Sequence, residues 1–263
     1  VLTSTRHPVV KAFRRLLARP RHDSHRLLLD GPRLVAEALD AGVTIESALV
    51  AADEAGTPLA ALVARLRAAG ARVYDAAPRV VQAASSVVTS QGIVAIARRP
   101  AEADEAILAS PDLLLLVADG IQDPGNLGTM IRTAAAAGAT AVAAAGTADP
   151  YQPKALRASM GAAFRIPILR TDASRLRDTL AARGVRILVA DPRGALSFTD
   201  AVFDPPVAIV IGHETAGPAQ VWRPPGVGVR IPMLGPVESL NAAVAAALLV
   251  YEAVRRTAGE RRR

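Results

Sequence analysis

Three short segments place polar side chains among glycines just beyond apolar runs, an arrangement suited to holding a ligand by hydrogen bonds and charge. In DPGNLGTMIRTAAAAGA, from Asp123, Asn126 and Arg132 follow the run LLLLVAD. Gly125 and Gly128 there let a ligand or another backbone come close. Asp123 or Asn126 can cap the helix that follows, and Pro124 suits its first position. In VAIVIGHETAGP an apolar strand gives way to a loop in which Gly212 and Gly217 permit tight turns. Backbone amides in that loop can hold a polar group, and Glu214 either binds a ribose hydroxyl or orders the loop. In IPMLGPVESLNAAVAAALLVYE, from Ile231, Ser239 is an N-cap candidate for a long helix. Asn241 can bond a nucleotide or the neighbouring loop, and the alanines after it allow close packing. Each segment alone reads equally well as ordinary structure: a capped helix with an exposed arginine, a strand-to-helix turn beside a surface His213, a run of good helix formers. None is a GxGxxG fingerprint, so a dinucleotide site is not supported.

These residues need a scaffold that brings them together. Apolar runs at Leu113–Val117, Ala141–Ala145, Arg165–Leu169, Val185–Val189 and Val207–Ile211 read as buried parallel strands, with a short strand near Gly228–Ile231. Helical patterns at Leu127–Ala137 and Ala173–Arg183 lie between them, and a long helix runs from Ser239. Arg132 is expected about one turn into its helix, near the carboxyl edge of the sheet, where open α/β sheets bind ligands. The first half is a smaller α/β module. Val10, Phe13, Leu16 and Leu17 form a helical stripe, LLLD from Leu27 a strand, and GPRLVAEALDAG a helix closed by Gly42. Further strands are expected near Ser47–Ala51, Arg72–Tyr74 and Gly92–Ala97. The expected division is a domain over 1–100, a linker over 101–111 and a second domain over 112–263.

Composition narrows the chemistry. The 263 residues carry a net charge of +7, with 29 Arg against 2 Lys, which is compatible with a phosphate-rich ligand. No cysteine is present, which excludes disulfides, thiolate metal sites and a cysteine nucleophile. Four histidines, at 7, 22, 25 and 213, lack ligand spacing, so no metal site is expected. No signal-peptide pattern opens the sequence and no apolar run reaches ~20 residues, so a soluble, cytoplasmic protein without membrane association is expected.

Taken together and in order, GNLGTMIRTAAAAGA, GHETAGP and IPM…ESLN resemble the signature motifs of the SpoU (TrmH-like) RNA 2′-O-ribose methyltransferases. The resemblance implies an α/β SPOUT domain with a parallel sheet and a trefoil knot, working as a homodimer. It implies S-adenosyl-L-methionine in a pocket built from Ile211, Gly212, Gly217, Ile231, Met233, Leu240, Asn241 and Ala245. It implies Asn126, Arg132, Glu214, Ser239 and Asn241 at the catalytic centre, with Arg132 reaching across the dimer interface and contacting RNA. One position departs from the pattern: His213 stands where many relatives carry Asn or Ser.

In the first half, DGPRLVAEALDAG and SQGIVAIARRP resemble the ribosomal-protein-like domain that precedes many ribosomal-RNA-directed members. It implies an RNA-binding domain that grips phosphate and shape. Residues 1–33 carry eight Lys/Arg against two Asp, and Lys11, Arg14, Arg15 and Arg19 are the expected contacts. Few aromatics argue against recognition dominated by base stacking. The implied activity is methylation of a ribose 2′-hydroxyl, in 23S ribosomal RNA for housekeeping or antibiotic resistance. A tRNA methyltransferase and a non-catalytic RNA-binding or assembly factor are the alternatives.

Overall fold

The computed structural model describes residues 1–18, 25–52, 58–213 and 217–260. They form two compact units, Val1–Ala101 with Tyr151–Phe164, and Glu102–Pro150 with Arg165–Arg263. The first unit holds a four-stranded sheet of β1 (Arg26–Asp30), β2 (Ile45–Ala51), β3 (Arg72–Ala76) and β4 (Ile93–Arg98) in the order β1-β4-β2-β3. β4 runs antiparallel to both neighbours, and β2 pairs with β3 in parallel. Its helices are α1 (Pro8–Ala18), α2 (Pro32–Asp40), α3 (Pro58–Ala68), α4 (Pro78–Gln82) and α6 (Pro153–Ser159). On α1 the three-residue spacing of Val10, Phe13 and Leu16 puts all three on one stripe. That stripe is buried in a core with Leu28, Leu49, Val94 and Ile96. Lys11, Arg14 and Arg15 fall off the stripe and are exposed. Arg19 lies outside the described residues.

One polar network sits inside this unit. Asp30, closing β1, is buried and accepts from Ser85 Oγ at 2.9 Å and Ser86 Oγ at 2.7 Å, while Arg157 donates to Ser86 Oγ at 2.5 Å. A buried carboxylate without such donors would be costly, so the loop after α4 is held in place by the demand of Asp30 for partners.

The second unit is built on β5 (Leu114–Asp119), β6 (Ala141–Ala145), β7 (Ile168–Thr171), β8 (Arg186–Ala190), β9 (Leu196–Ser197), β10 (Val207–Ile211) and β11 (Val227–Arg230). They form one parallel sheet in the order β7-β6-β5-β10-β8-β11-β9. Every residue of β6 and β10 is buried, the pattern of strands covered on both faces. β7 begins later than the expected run from Arg165: Pro167 still lends its carbonyl to Val142 N but has no N–H for the ladder. The stretch 101–111 carries a short helical turn, Glu105–Ala109, whose Leu108 enters the core of this unit with Ala103 and Ile107 packed beside it.

Helix α5 (Pro124–Ala136) starts three residues before its expected beginning, because Asp123 caps it by accepting from Asn126 N at 2.8 Å. Arg132 therefore sits more than two turns into the helix, not one. α7 (Ala173–Ala182) is capped in the same way by Asp172. The last helix, α8 (Ala242–Glu260), starts three residues later than expected. Asn241 Oδ1 accepts from Ala243 N at 2.9 Å, so Asn241 rather than Ser239 is the cap. No helix among the described residues is long and apolar enough to cross a membrane.

Candidate active site

In a parallel sheet all strands end on one edge, and the three glycine-punctuated segments meet there in the second unit. The carboxyl ends of β8, β10 and β11 and the start of α8 enclose a cavity of about 610 Å³, within the range of about 300–1,000 Å³ typical of small-molecule sites. Of the residues expected to bind a cofactor, Ile211, Gly212, Gly217, Ile231, Met233, Leu240 and Ala245 line it, as does Ser239. Asn241 is not in the lining but lies at its border, between Leu240 and Ala242.

Gly212 is where backbone crowding is greatest. A Cβ there would lie 2.0 Å from Pro218 N and 2.3 Å from Gly217 C. The loop leaving β10 turns back on itself at that point, and His213 and Gly217 exchange backbone hydrogen bonds at 3.1 and 2.9 Å. Gly217 takes a φ of +72°, which suits a residue without Cβ. The tip of this loop, with Glu214, lies outside the described residues. His213 packs beside Gly120: a Cβ added to Gly120 would be 3.6 Å from its own Cβ.

The first and third segments are joined directly. Asn241 Nδ2 donates to Asn126 Oδ1 at 3.0 Å, while the oxygen of Asn241 caps α8. One amide thus fixes the start of α8 and ties it to the start of α5. Arg132 is exposed on α5 and is not in the cavity lining. Among the described residues no group of three or more His, Asp or Glu side chains could hold a metal ion.

The sequence reading passed over several charged residues at this edge. Asp191, Arg193, Arg223 and Glu238 all line the cavity. Burial pushes the Asp191 carboxyl pKa up, but the Arg193 amide and the Arg223 guanidinium outweigh it and hold the pKa below its ordinary value. Asp119, at the end of β5, is buried and accepts from Ala219 N at 2.7 Å and Trp222 Nε1 at 3.0 Å. A signal was present in the chain: two apolar strands each end in Val-Ala-Asp, at 117–119 and 189–191. A carboxylate closing an apolar run on both strands needs partners at the same edge.

Fold and site together define an α/β protein with a small-molecule cavity at the carboxyl edge of a parallel sheet, walled by the second and third glycine-punctuated segments and by the loop after β8. The model of the SpoU rRNA Methylase family matches residues 113–251, and that of the MRM3-like substrate binding domain matches residues 7–95. The chain is 34% identical over 253 residues to 23S rRNA (guanosine(2553)-2′-O)-methyltransferase RlmP of Bacillus subtilis, covering 95% of this chain and 97% of that protein. A solved RNA 2′-O ribose methyltransferase superposes with a TM-score of 0.84 at 36% identity, covering 98% of this chain and 99% of the other. The SpoU methyltransferase AviRb from Streptomyces viridochromogenes, in complex with AdoMet, gives a TM-score of 0.84 at 29% identity, with 96% and 99% covered. This chain belongs to the SpoU rRNA methylase family.

Proposed function

We propose that this protein is an S-adenosylmethionine-dependent methyltransferase acting on a ribose 2′-hydroxyl of 23S ribosomal RNA. The observation that carries the reading is a cavity lined by the second and third family segments, to which the bond from Asn241 to Asn126 ties the first. The cavity suits the donor: Ile211, Ile231, Met233, Leu240 and Ala245 offer apolar surface to a flat base, and Glu238 offers a carboxylate near a cationic group. The backbone at Gly212 and Gly217, with Asn241 at the border, completes the donor site in this reading.

When bound, the donor supplies an electrophilic methyl group carried on a sulfonium. What remains for the protein is to align the ribose oxygen and manage one proton. A guanidinium offers a fork of N–H donors and no acceptor, so the part of Arg132 is to clamp the neighbouring phosphate and stabilise negative charge on the ribose oxygen. Asn126, Glu214 and Ser239 complete the polar surround, and water, Ser239 or the phosphate takes the proton.

Arg132 lies outside the cavity lining of its own chain, which supports a homodimer in which it reaches the partner's site. α8 leaves Val244 (47%), Leu248 (40%) and Tyr251 (51%) exposed at i, i+4 and i+7, an apolar face suited to a second copy. The family's trefoil knot and a cytoplasmic location belong to the same reading. The domain matching residues 7–95 holds the RNA, with Lys11, Arg14, Arg15 and Arg19 contacting phosphate.

The test uses radiolabelled S-adenosylmethionine with RNA from a strain lacking the gene, fractionated by size. Label at one alkali-resistant position of 23S RNA, lost by a factor of about 10²–10³ in Arg132→Ala, is expected. Arg132→Lys is expected to stay impaired, since a point charge does not replace a bidentate clamp. Label in tRNA, or none with donor binding demonstrated, overturns the assignment.

A further inference from the structure

The sheet order places β10 between β5 and β8. Of the two strands flanking β10, β5 therefore ends in Asp119 and β8 runs directly into Asp191, one on each side of the strand that delivers Gly212. Both carboxylates reach into the same short segment, residues 219–223. Asp119 Oδ2 accepts from Ala219 N and Trp222 Nε1, at 2.7 and 3.0 Å. Asp191 Oδ2 accepts from Arg223 Nη2, while its Oδ1 accepts from Arg193 N at 2.9 Å. A third tie comes from below, where Arg177 Nη1 donates to Val221 O at 3.3 Å. Trp222 is wholly buried in the core of the unit.

The segment is also the wall of the cavity. Gly217, Pro218, Ala219, Gln220 and Arg223 all line it. A segment whose only regular structure is one 3₁₀ turn, Gln220–Trp222, would ordinarily sample many conformations, at a cost of about 1–2 kcal/mol for each residue ordered when a ligand binds. Here the ordering is done in advance by two acids that do not themselves need to touch the ligand.

We propose that Asp119 and Asp191 are positioning residues for the methyl donor, clamping residues 219–223 from the two sides of β10 so that the 217–220 backbone is preset as a wall of the donor cavity. The proposal rests on the methyltransferase reading above. It separates the roles of the two acids from any direct role in methyl transfer. Loss of either should raise the dissociation constant for the donor while leaving RNA affinity alone, and kcat at saturating donor should change little.

Trp222 is the sole tryptophan of the chain, so its fluorescence reports on this segment specifically. The experiment measures S-adenosylmethionine binding by calorimetry, RNA binding by filter retention, and Trp222 emission, for the full-length protein and three variants. Asp119→Ala leaves two donors unmatched, and Arg223→Ala opens the clamp from an exposed residue, so one variant stays informative if the other fails to fold. Asp119→Asn can still accept from both donors through its one oxygen. Asp119→Ala and Arg223→Ala are expected to weaken donor binding about tenfold or more, with RNA affinity within twofold of the parent. Asp119→Asn is expected to recover most of the loss, and Asp119→Ala to shift Trp222 emission to the red. Parent-like donor affinity in a folded Arg223→Ala or Asp119→Ala protein overturns the clamp alone. A parent protein that binds no S-adenosylmethionine overturns the methyltransferase reading, and the clamp's role with it.

Discussion

The cavity has two walls of opposite character. One is made of strand ends: Ile211 and Gly212 are buried, and the segment beyond them is held by Asp119 and Asp191. The other is the 232–240 stretch, without regular structure and exposed along most of its length, with Leu234 at 99% exposure. The first wall is finished by the fold of a single chain. The second carries apolar side chains that this chain does not cover, as expected of a surface completed by a second copy or by RNA. A binding site can thus be rigid where it must recognise a constant ligand and unfinished where it must admit a large one.

Substitution in the finished wall should do the most damage. In Gly212→Ala the new Cβ would meet Pro218 N at 2.0 Å, a clash with backbone that only movement of the loop can relieve. Donor affinity measured by calorimetry should fall at least tenfold while the rest of the unit stays folded. If affinity is kept, the strand-end wall is less rigid than the geometry implies.

At the end of the exposed wall, Asn241 ties the start of α8 to α5. Asn241→Ala removes the cap of α8 and the bond to Asn126, and thermal unfolding should show a loss of about 1 kcal/mol. Asn241→Asp keeps a capping oxygen but no longer donates to Asn126. It should therefore keep most of the stability and lose most of the activity, separating the cap from the catalytic alignment.

Farther along α8, Glu252 is buried and bonded to Arg255 and Arg256, and Arg256 also donates to Thr199 O. The Arg255 hydrogen bond is the main cause that lowers its pKa from 4.5 to about 2, against the opposing effect of burial. The folded pKa lies below the unfolded one, so the stabilisation is complete above about pH 4.5 and is lost as the pH falls through about 2. Glu252→Gln should lower Tm at pH 7, and its gap to the parent should narrow toward pH 2. A gap independent of pH would mean that the carboxylate contributes by packing rather than charge.

The smallest effect belongs to the unfinished wall. Leu234→Ala should leave the unfolding free energy of the isolated protein within about 0.5 kcal/mol of the parent, since an almost fully exposed side chain has little to lose. A larger change would show that the chain covers Leu234 in solution, and the contrast between the walls would fail.

Much of this was legible in the chain itself. Uninterrupted apolar runs mark β6 and β10 as strands buried on both faces, because VAIVI and AVAAA are too short for a helix and are bounded by Gly or Pro. The three-residue spacing of Val10, Phe13 and Leu16 marks the buried side of α1, the order of three glycine-punctuated segments marks the family, and the second and third of them mark the cavity. Local chemistry also decides that a helix follows Asp123, since Asp-Pro is a cap and a first turn in one. What the chain did not disclose were choices settled by distant partners. Ser239 and Asn241 are both good caps by type; Asn241 takes the role because its amide also meets Asn126, 115 residues away. Asp119 and Asp191 are unremarkable acids in sequence. They become a pair only because a parallel sheet inserts β10 between β5 and β8, bringing both carboxylates to the same five residues. Sequence by itself determined the elements and the chemistry available to them, since both follow from neighbours along the chain. Which side chains share a site was decided by tertiary structure, because strand order sets those distances and is itself the outcome of burying the whole sheet at once.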